Sequence, residues 1–456
     1  MKLLSVMFLA VLSSAAAAQP AAQPPAQPAP ASPAGPDSAT PTTSAGPEVL
    51  TLERAIDIAM KQQPSLRQSK AQLEVAHGRV DLARAARLPT LSVDATAGTG
   101  STAKAAAAGS RGGPDFFSHA ESTGLGAQAS WRIYDFGATA ANIRAAELSA
   151  EASGASVGTT VLDIRNGVEI AYLAAVARRR LVQVAEATVK SEDAHLDQAK
   201  RFVAAQAKDP IEVAQAQSRD ANAKSALAQA QSDEAIALAN LRSAIGWVDP
   251  ESSPTVAASW PAPADVEPPV LGALVDTARK QRPEIVQLDK QLAAADADLD
   301  AAHAERRPVL SASASTQWSP GTGNWEPEPS WSAGLSLSWT LFDGGRAAAD
   351  ARIARANVQG AIAQRDALLV SLTSELDSAR SQIVANRANV RASTEAVTAA
   401  RAQLKLADAR YTQGLGSQIE LADAQTAVTT AEGNLVQAEF QLATAWAQLH
   451  RATAQQ

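Results

Sequence analysis

The chain contains the same series of segments twice, and this duplication constrains its fold more than any other feature. Residues 131–137 are matched by residues 339–345, and residues 211–217 by residues 419–425, each 208 positions later. Upstream of these, Gln63-Pro64 and Leu88-Pro89 are matched by Arg282-Pro283 and Arg307-Pro308, 219 positions later. The two offsets differ by eleven, so the first copy carries eleven extra residues between Pro89 and Trp131. Each copy predicts a helix, a strand, a loop, a strand, a long helix, a turn and a second long helix.

The two copies and two proline-rich stretches define the expected domain organisation. A lysine, a short apolar run and three alanines predict a secretory signal peptide, and the run is too short to cross a bilayer as a helix. We expect six segments in all: signal peptide 1–18, Pro/Ala-rich disordered tether 19–47, first structural repeat 48–247, Pro-rich connector 248–269, second repeat 270–451 and C-terminal tail 452–456.

Composition and charge exclude several classes of protein. The formal net charge of −7 and the lack of a basic cluster argue against a nucleic-acid partner. The chain has no cysteine, which excludes disulfides and thiolate metal sites. Its apolar content comes mostly from alanine, and this is typical of long helices that approach each other closely.

Four segments alternate between apolar and small polar residues. In residues 331–342 every second residue from Trp331 to Leu341 is apolar, and the residues between them are serine, glycine or threonine. Residues 91–97, 125–134 and 310–318 also alternate, with mostly polar residues between the apolar ones and with Ile133 on the apolar face. The pattern would place Tyr134 on the polar face. Such alternation predicts strands of a sheet with one apolar and one polar face.

A membrane barrel explains these strands better than a soluble sandwich. A sandwich needs large inward-facing residues and a second sheet, whereas the rest of this chain is helical. A membrane barrel needs an apolar outer face, a polar lumen and aromatic residues near the two interfaces. Four tryptophans at or near strand ends on the apolar face are the expected interface residues: Trp131, Trp318, Trp331 and Trp339.

Four strands cannot close a barrel, and lipid does not tolerate an open sheet edge. Closure therefore requires further copies of the chain. Two chains would give eight strands with an interior filled by side chains, whereas three would give twelve strands and an open lumen. The small residues on the polar face favour the trimer.

Between the strand pairs run uninterrupted heptads. Apolar residues from Leu369 to Tyr411 recur every three and four positions, and the first copy repeats the pattern from Val161 to Val203. Such a pattern specifies a left-handed coiled-coil seam. A helix from Ala347 to Tyr411 is on the order of 100 Å long, at about 1.5 Å per residue.

These residues together resemble the TolC-like outer-membrane efflux proteins over nearly all of the chain outside the tether. The resemblance rests on the duplicated unit, on the glycine turns after residues 135 and 343, and on Arg410-Tyr411-x-x-Gly414 followed by residues 419–425. The fold class it implies is a mixed α/β membrane protein that is internally duplicated. A long α-helical coiled-coil barrel joins a transmembrane β-barrel closed by trimerisation, with four strands per protomer.

The resemblance also implies a function and partners. It implies a homotrimeric channel in the outer membrane of a Gram-negative bacterium, extending into the periplasm and serving tripartite efflux or type I secretion. The implied partners are outer-membrane lipid, a periplasmic adaptor (a membrane fusion protein) and an inner-membrane transporter of the RND, ABC or MFS type. No nucleic acid is expected.

In the family the tunnel narrows at its periplasmic tip, and the resemblance assigns gate residues there. Glu420 and Asp423 match an acidic ring, and Glu212 is the first-copy counterpart of Glu420. Tyr411 is retained at the tip. Three chains would place six carboxylates from Glu420 and Asp423 around one constriction, an arrangement that attracts cations and repels anions.

The same resemblance assigns two tip turns to adaptor docking. The expected residues are Lys208, Asp209 and Pro210 in the first turn and Gly414, Leu415, Gly416 and Ser417 in the second. Glycine and proline allow sharp reversals of the chain, and an exposed leucine can anchor a partner helix. Some family members carry an arginine at the position that matches Gly416, so this tip departs from the pattern.

No catalytic motif is present, so we expect no enzyme, no cofactor and no metal site. The five histidines are dispersed along the sequence: His77, His119, His195, His303 and His450. The alternative function is a non-pore periplasmic coiled-coil adaptor or a trimeric surface structural protein. Adaptors, however, have one helical hairpin and no amphipathic membrane strands.

Overall fold

The fold is seen in a computed structural model that describes residues 49–103, 117–248, 255–257, 259–260, 266–320 and 327–455. The signal peptide and tether predicted for residues 1–47, and much of the connector, lie outside these ranges. The helices are α1 (Leu52–Gln62), α2 (Pro64–Ala85), α3 (Ala138–Ala204), α4 (Ile211–Ile245), α5 (Leu271–Gln281), α6 (Pro283–Ala304), α7 (Arg346–Thr412) and α8 (Gln418–Thr453). The strands are β1 (Val49–Leu50), β2 (Thr90–Ala103), β3 (Phe117–Tyr134), β4 (Thr255–Val256), β5 (Val309–Pro320) and β6 (Pro327–Ser338).

The two longest helices, α3 and α7, have 67 residues each. Each is therefore on the order of 100 Å long, which confirms the length predicted from the heptads. The returning helices α4 and α8 pack along the distal part of α3 and α7, and the shorter α2 and α6 pack along the part nearer the strands. The predicted seam of α7 is buried or half-buried along its length, and Leu372, Leu376 and Ile383 are fully buried.

The helix expected before each strand pair is present as α2 or α6, and a shorter helix that was not predicted, α1 or α5, precedes it. Gln63 and Arg282 adopt extended backbone conformations, and Pro64 and Pro283 begin the next helix. The residue before a proline is driven out of the helical region by steric contact with the ring, and this separates the helices. Arg282 is 3% exposed and its guanidinium lies 2.8 Å from Glu375 of α7, so an ion pair fixes the second break.

The four long strands form one antiparallel sheet in the order β2-β3-β5-β6. A bulge at Ile133 shifts the register, so that Arg132 is opposite Ser311 but Tyr134 is opposite Leu310. Directly opposed residues share a face, and a bulge leaves one residue unpaired. The predicted placement of Tyr134 on the polar face is therefore wrong.

Three further features differ from the sequence prediction. The strand predicted to reach Phe342 ends at Ser338, and the short strands β1 and β4 form a parallel pair that periodicity did not indicate. The hydroxyl of Tyr172 donates to the backbone oxygen of Leu50, 3.1 Å away, and ties this pair to α3. Helix α8 continues to Thr453, two residues into the expected C-terminal tail.

The buried core is spread along the helices. Its largest clusters lie where α3 and α7 meet the helices beside the proline breaks, around Val168 and Leu241 in the first copy and around Leu376 and Ile383 in the second. In the described ranges no helix combines the length and the apolar character needed to cross a bilayer.

Candidate functional site

The sheet exposes a continuous apolar face. Row by row across the strands, Leu91 is opposite Ala129, then Ala314 and then Ala333. The large apolar side chains of this face are open to the surroundings, and Leu91 (76%) and Leu335 (72%) are among the most exposed. An apolar surface of this extent marks a contact with lipid or protein.

The opposite face of the sheet is polar, and most of its side chains are small. Its rows include Ser92, Gln128, Ser315 and Ser332. The hydroxyls of Ser315 and Ser332 are 2.9 Å apart, so neighbouring strands are bonded to each other across this face. The alternation predicted from the sequence is thus confirmed outside the bulge.

The four tryptophans of the apolar face stand at two levels. Trp331 and Trp339 are eight residues apart on one stretch of chain, about 27 Å at 3.4 Å per residue. Trp318 pairs opposite Leu125, near the level of Trp331, and Trp131 lies nearer the helices.

Two of these tryptophans also join the sheet to the helices. The indole Nε1 of Trp131 donates to the backbone oxygen of Arg87 at 2.9 Å, and that of Trp339 donates to Arg306 at 3.1 Å. Both acceptors lie just past the ends of α2 and α6. The duplicated tryptophan therefore has the same structural contact in both copies.

An aspartate begins each long helix at this junction. The Asp135 carboxylate accepts backbone N–H bonds from Thr139 (2.8 Å) and Gly137 (3.3 Å), and Asp343 accepts the equivalent bonds from Ala347 and Gly345. Burial acts to raise the pKa of Asp135, but the bonds from Thr139 and Gly137 and the charge of Arg132 hold it below its ordinary value. The carboxylate therefore stabilises the start of α3 in its ionised form.

We expect Asp135→Ala to loosen the first turn of α3. Loss of such a cap costs about 1 kcal/mol, so amide hydrogen exchange at residues 137 and 139 should accelerate several-fold. Because the pKa of Asp135 is lowered, the contribution is present above the ordinary pKa of 3.8 and fades as pH falls through the native value. The control is Asp57→Ala, an exposed carboxylate on α1. Unchanged exchange at residues 137 and 139 would contradict the capping role.

At the far end of the long helices, Tyr411 and Glu212 are brought together. Tyr411 is 1% exposed, and its hydroxyl donates to Glu212 Oε2 at 2.9 Å. The Gln418 side-chain amide donates to the backbone oxygen of Glu212, also at 2.9 Å. Tyr411 lies in the last turn of α7 and Glu212 in the first turn of α4, so these bonds tie the helical hairpin of one copy to that of the other.

Lys208 and Phe202 complete this cluster. Lys208 Nζ lies 3.5 Å from Glu212 Oε1 and 5.1 Å from the centre of the Tyr411 ring, and the Phe202 ring meets Tyr411 edge-on. Burial, together with the hydrogen bond and charge of Glu212, raises the pKa of Tyr411 to about 12. The hydroxyl therefore remains a donor throughout the physiological range. Lys208, predicted to contact an adaptor, lies against the predicted gate residues.

The other two acidic residues predicted at the gate lie in the first turns of α8. Ser417 caps this helix by accepting the backbone N–H of Glu420 at 3.1 Å. Glu420 Oε1 lies 3.2 Å from Arg410 Nε, and Asp423 is exposed one turn further on. Glu420 therefore pairs with an arginine of its own hairpin, whereas its counterpart Glu212 pairs across the hairpins.

The second tip turn is tightly packed at Gly416 and open at Leu415. A Cβ atom at Gly416 would lie 3.1 Å from both Arg410 Cβ and the Tyr411 nitrogen, closer than nearly all real contacts. A side chain at this position, an arginine included, therefore requires Arg410 and Tyr411 to shift by a few tenths of an ångström. Leu415 is 72% exposed, and Gly414 has a positive φ of 73°, which glycine adopts without strain.

Several tip residues could not be found from the sequence patterns. Arg410 belongs to the motif used above, but its pairing with Glu420 depends on the turn geometry. No sequence pattern marks Gln418 or Phe202 as a residue of the tip cluster. Within the described ranges, no three histidine, aspartate or glutamate side chains are grouped so that they could hold a metal ion.

Comparison with solved structures defines the class of the protein. The outer membrane channel CmeC of Campylobacter jejuni superimposes with a TM-score of 0.74 at 16% identity, and the match covers 94% of each chain. The fold is therefore that of the TolC-like channels, mostly helical with a four-stranded sheet.

Sequence comparison then identifies the family. Residues 55–247 and 274–455 match the family model described as outer membrane efflux protein. Protein CyaE of Bordetella pertussis is 30% identical over 384 residues, 83% of this chain and 78% of that protein. Outer membrane protein OprJ of Pseudomonas aeruginosa is 28% identical over 402 residues, covering 82% and 78%. The chain belongs to the outer membrane efflux protein family.

Membership establishes the general function. Proteins of this family are channels rather than a class of enzymes, and they reside in the Gram-negative outer membrane and extend into the periplasm. They are trimers that work with periplasmic adaptors and inner-membrane transporters. This chain is accordingly an outer-membrane channel of a tripartite efflux or secretion system.

Proposed function

We propose that three copies of this chain close a twelve-stranded barrel in the outer membrane and that their helices continue it as a tunnel with an acidic periplasmic gate. One observation carries the proposal: the sheet exposes an apolar face, and its outer strands β2 and β6 pair on one side only among the described strands. An unpaired backbone group costs several kcal/mol in lipid. Both edges therefore need strands from other copies.

The size of the polar side chains supports three copies rather than two. An eight-stranded barrel is just filled by its inward-facing side chains, and twelve strands leave room for water. Ser92, Ser315, Ser332 and their neighbours are too small to fill an eight-stranded interior. The polar face thus becomes the wall of a water-filled lumen, and the apolar face meets lipid.

The two tryptophan levels support the position of the bilayer. Aromatic girdles flank an apolar band about 25 Å tall in membrane barrels. Trp318 and Trp331 would stand at the outer interface, and Trp131 and Trp339 at the periplasmic interface. The indole bonds to Arg87 and Arg306 fix the second pair where the strands give way to helices.

The contacts at the tip support a channel that is closed there and opens when the two helical hairpins separate. The bond from Tyr411 to Glu212 holds the two hairpins of one chain together. Glu420 and Asp423, repeated in three chains, would line the constriction with six carboxylates. The turn residues Asp209, Pro210, Leu415 and Ser417 would face the adaptor, with Leu415 as the exposed anchor.

The chain acts by conducting solutes supplied by the transporter and catalyses no reaction. This part of the proposal is supported by family membership, because the family consists of channels. The transport step needs only a lumen, a gate and a docking surface, and the sheet, the tip cluster and the turns supply these three elements.

We expect Glu420→Gln combined with Asp423→Asn to weaken cation selectivity in planar bilayers. The substitutions remove six negative charges from a trimer at its narrowest point, so the permeability ratio should move toward unity. The matched control is Asp377→Asn with Glu395→Gln, which removes the same charge from exposed positions of α7 away from the tip. Equal cation selectivity in the native channel, the double variant and the control would show that Glu420 and Asp423 do not line the gate.

A further inference from the structure

The two helical hairpins of the chain differ in one layer above the tip. In the second hairpin, formed by α7 and α8, Ala400 and Val428 belong to a buried apolar cluster. The residues 208 positions earlier, in the first hairpin of α3 and α4, are Glu192 and Asp220. Glu192 is 6% exposed and Asp220 is 8% exposed. The first hairpin therefore buries carboxylates at positions where the second buries apolar side chains.

Arg219 of α4 supplies the opposite charge in this layer. Its Nε lies 3.5 Å from Glu192 Oε2 of α3, and the two side chains are 24% and 8% exposed. Neither Arg219 Nε nor Glu192 Oε2 has a hydrogen-bond partner in the part of the chain that the structure describes. The matching residues of the second hairpin are Ala427 and Ala400. Helices α3 and α4 are thus joined by a buried ion pair whose hydrogen bonding is incomplete.

An ion pair of this kind contributes little to stability. Taking two charges out of water costs free energy, and their attraction offsets that cost only when hydrogen bonds satisfy the remaining donors and acceptors. The second hairpin fills the same layer with apolar side chains and avoids the cost. Buried polar residues in a helical seam fix the register of the helices at the expense of stability. We therefore assign the pair of Glu192 and Arg219 to the register of the first hairpin.

The rest of the seam defines that register weakly. Next to the ion pair, α3 and α4 meet through Leu196, Ala199 and Ala216. Alanine side chains are small knobs, so their packing discriminates poorly between neighbouring registers. The ion pair discriminates strongly, because a shift of one helical turn would leave both charges buried without a partner.

The register of α4 determines where Glu212 lies. Glu212 is seven residues before Arg219, so the two share a face of α4 and are about 10 Å apart along its axis. Burial and the hydrogen bond and charge of Glu212 raise the pKa of Tyr411, and the nearby charge of Arg219 opposes them. Arg219 therefore contacts Glu192 and is also close enough to act on the bond between Tyr411 and Glu212.

We propose that Glu192 and Arg219 are positioning residues for the periplasmic gate. Their ion pair fixes the register of α4 on α3, and this register holds the Glu212 carboxylate where the Tyr411 hydroxyl can donate to it. The pair acts through Glu212. This inference rests on the proposed gate and adds the residues that set its geometry.

The test is Glu192→Ala combined with Arg219→Ala, which gives the first hairpin the alanines of the second. Both charges are removed together, so neither is left buried alone, and thermal stability should be unchanged or higher. The open probability in planar bilayers should nevertheless rise about 10-fold or more, toward that of Tyr411→Phe. A pair with a merely structural role would give lower thermal stability and an unchanged open probability.

The matched control removes another ion pair between α3 and α4, farther from the tip. Arg178 Nη1 lies 3.4 Å from Asp233 Oδ2, and the matching residues of the second hairpin are Asn386 and Gln441. Arg178→Asn with Asp233→Gln should leave the open probability unchanged. Arg219→Lys keeps the positive charge beside Glu192 and should keep the open probability near the native value.

Combination with Tyr411→Phe separates this inference from the proposed gate. Adding Tyr411→Phe to the double alanine variant should cause little further opening, because both changes act on one bond. Independent, additive effects would overturn the positioning role. If Tyr411→Phe opens the channel and the double alanine variant does not, the positioning role is contradicted and the gate stands. If neither opens it, both are contradicted.

Discussion

Leu335→Arg is expected to prevent assembly of the protein in the outer membrane. Leu335 lies four residues from both Trp331 and Trp339 and is 72% exposed on the apolar face, so it would stand near the middle of the bilayer. Arginine at the midplane of a barrel costs about 2–4 kcal/mol. A trimer contains three such arginines, so the cost applies three times. We expect fractionation to show a strong loss of this variant from the outer membrane.

The neighbouring residue provides the control. Ser336 is opposite Ser311 on the polar face, so Ser336→Arg places the same charge in the proposed lumen. That variant should assemble at the normal level and change conductance instead. Equal loss of both variants, or equal tolerance of both, would show that the two faces are assigned wrongly.

Tyr411→Phe is expected to open the periplasmic tip. The substitution removes the hydroxyl that donates to Glu212 at 2.9 Å and leaves the ring in contact with Phe202. A hydrogen bond to a charged group contributes about 1.5–3 kcal/mol, which corresponds to roughly a 10- to 150-fold shift toward the open state for each chain. Open probability in planar bilayers should rise accordingly.

The control for this change is Tyr172→Phe, which removes another buried tyrosine bond, to the backbone oxygen of Leu50, far from the tip. Because the pKa of Tyr411 is raised to about 12, its contribution is complete below about pH 10, the ordinary pKa of tyrosine. It is lost as the pH rises through 12. The bond should therefore keep its full strength between pH 6 and 9. Ionisation of Tyr411 should not alter the open probability of the native channel over that range. No increase in Tyr411→Phe would exclude the bond as a latch.

The sequence predicted the parts of the fold that depend on periodicity. The heptads located α3 and α7 to within about a residue at the tip, and alternation located both faces of the sheet. These features repeat over many residues, so one irregular position does not obscure them. The duplication strengthened the prediction, because each copy tested the other.

Single-residue features and long-range contacts could not be predicted in this way. The bulge at Ile133 interrupts the alternation at one position only, and the extended Gln63 is a local effect of the following proline. Tyr411 and Glu212 are 199 residues apart, and their bond depends on how two hairpins pack. The resemblance to a family placed both at the gate, but neither composition nor spacing could show that they touch.

The trimer is tested most directly by the mass of the protein extracted from the outer membrane in mild detergent, measured by native mass spectrometry. We expect a complex of three copies, because only closure by neighbouring chains pairs both edges of a sheet that faces lipid. A single copy that stays folded in the absence of detergent, with Trp331 and Trp339 shielded from solvent, would contradict it.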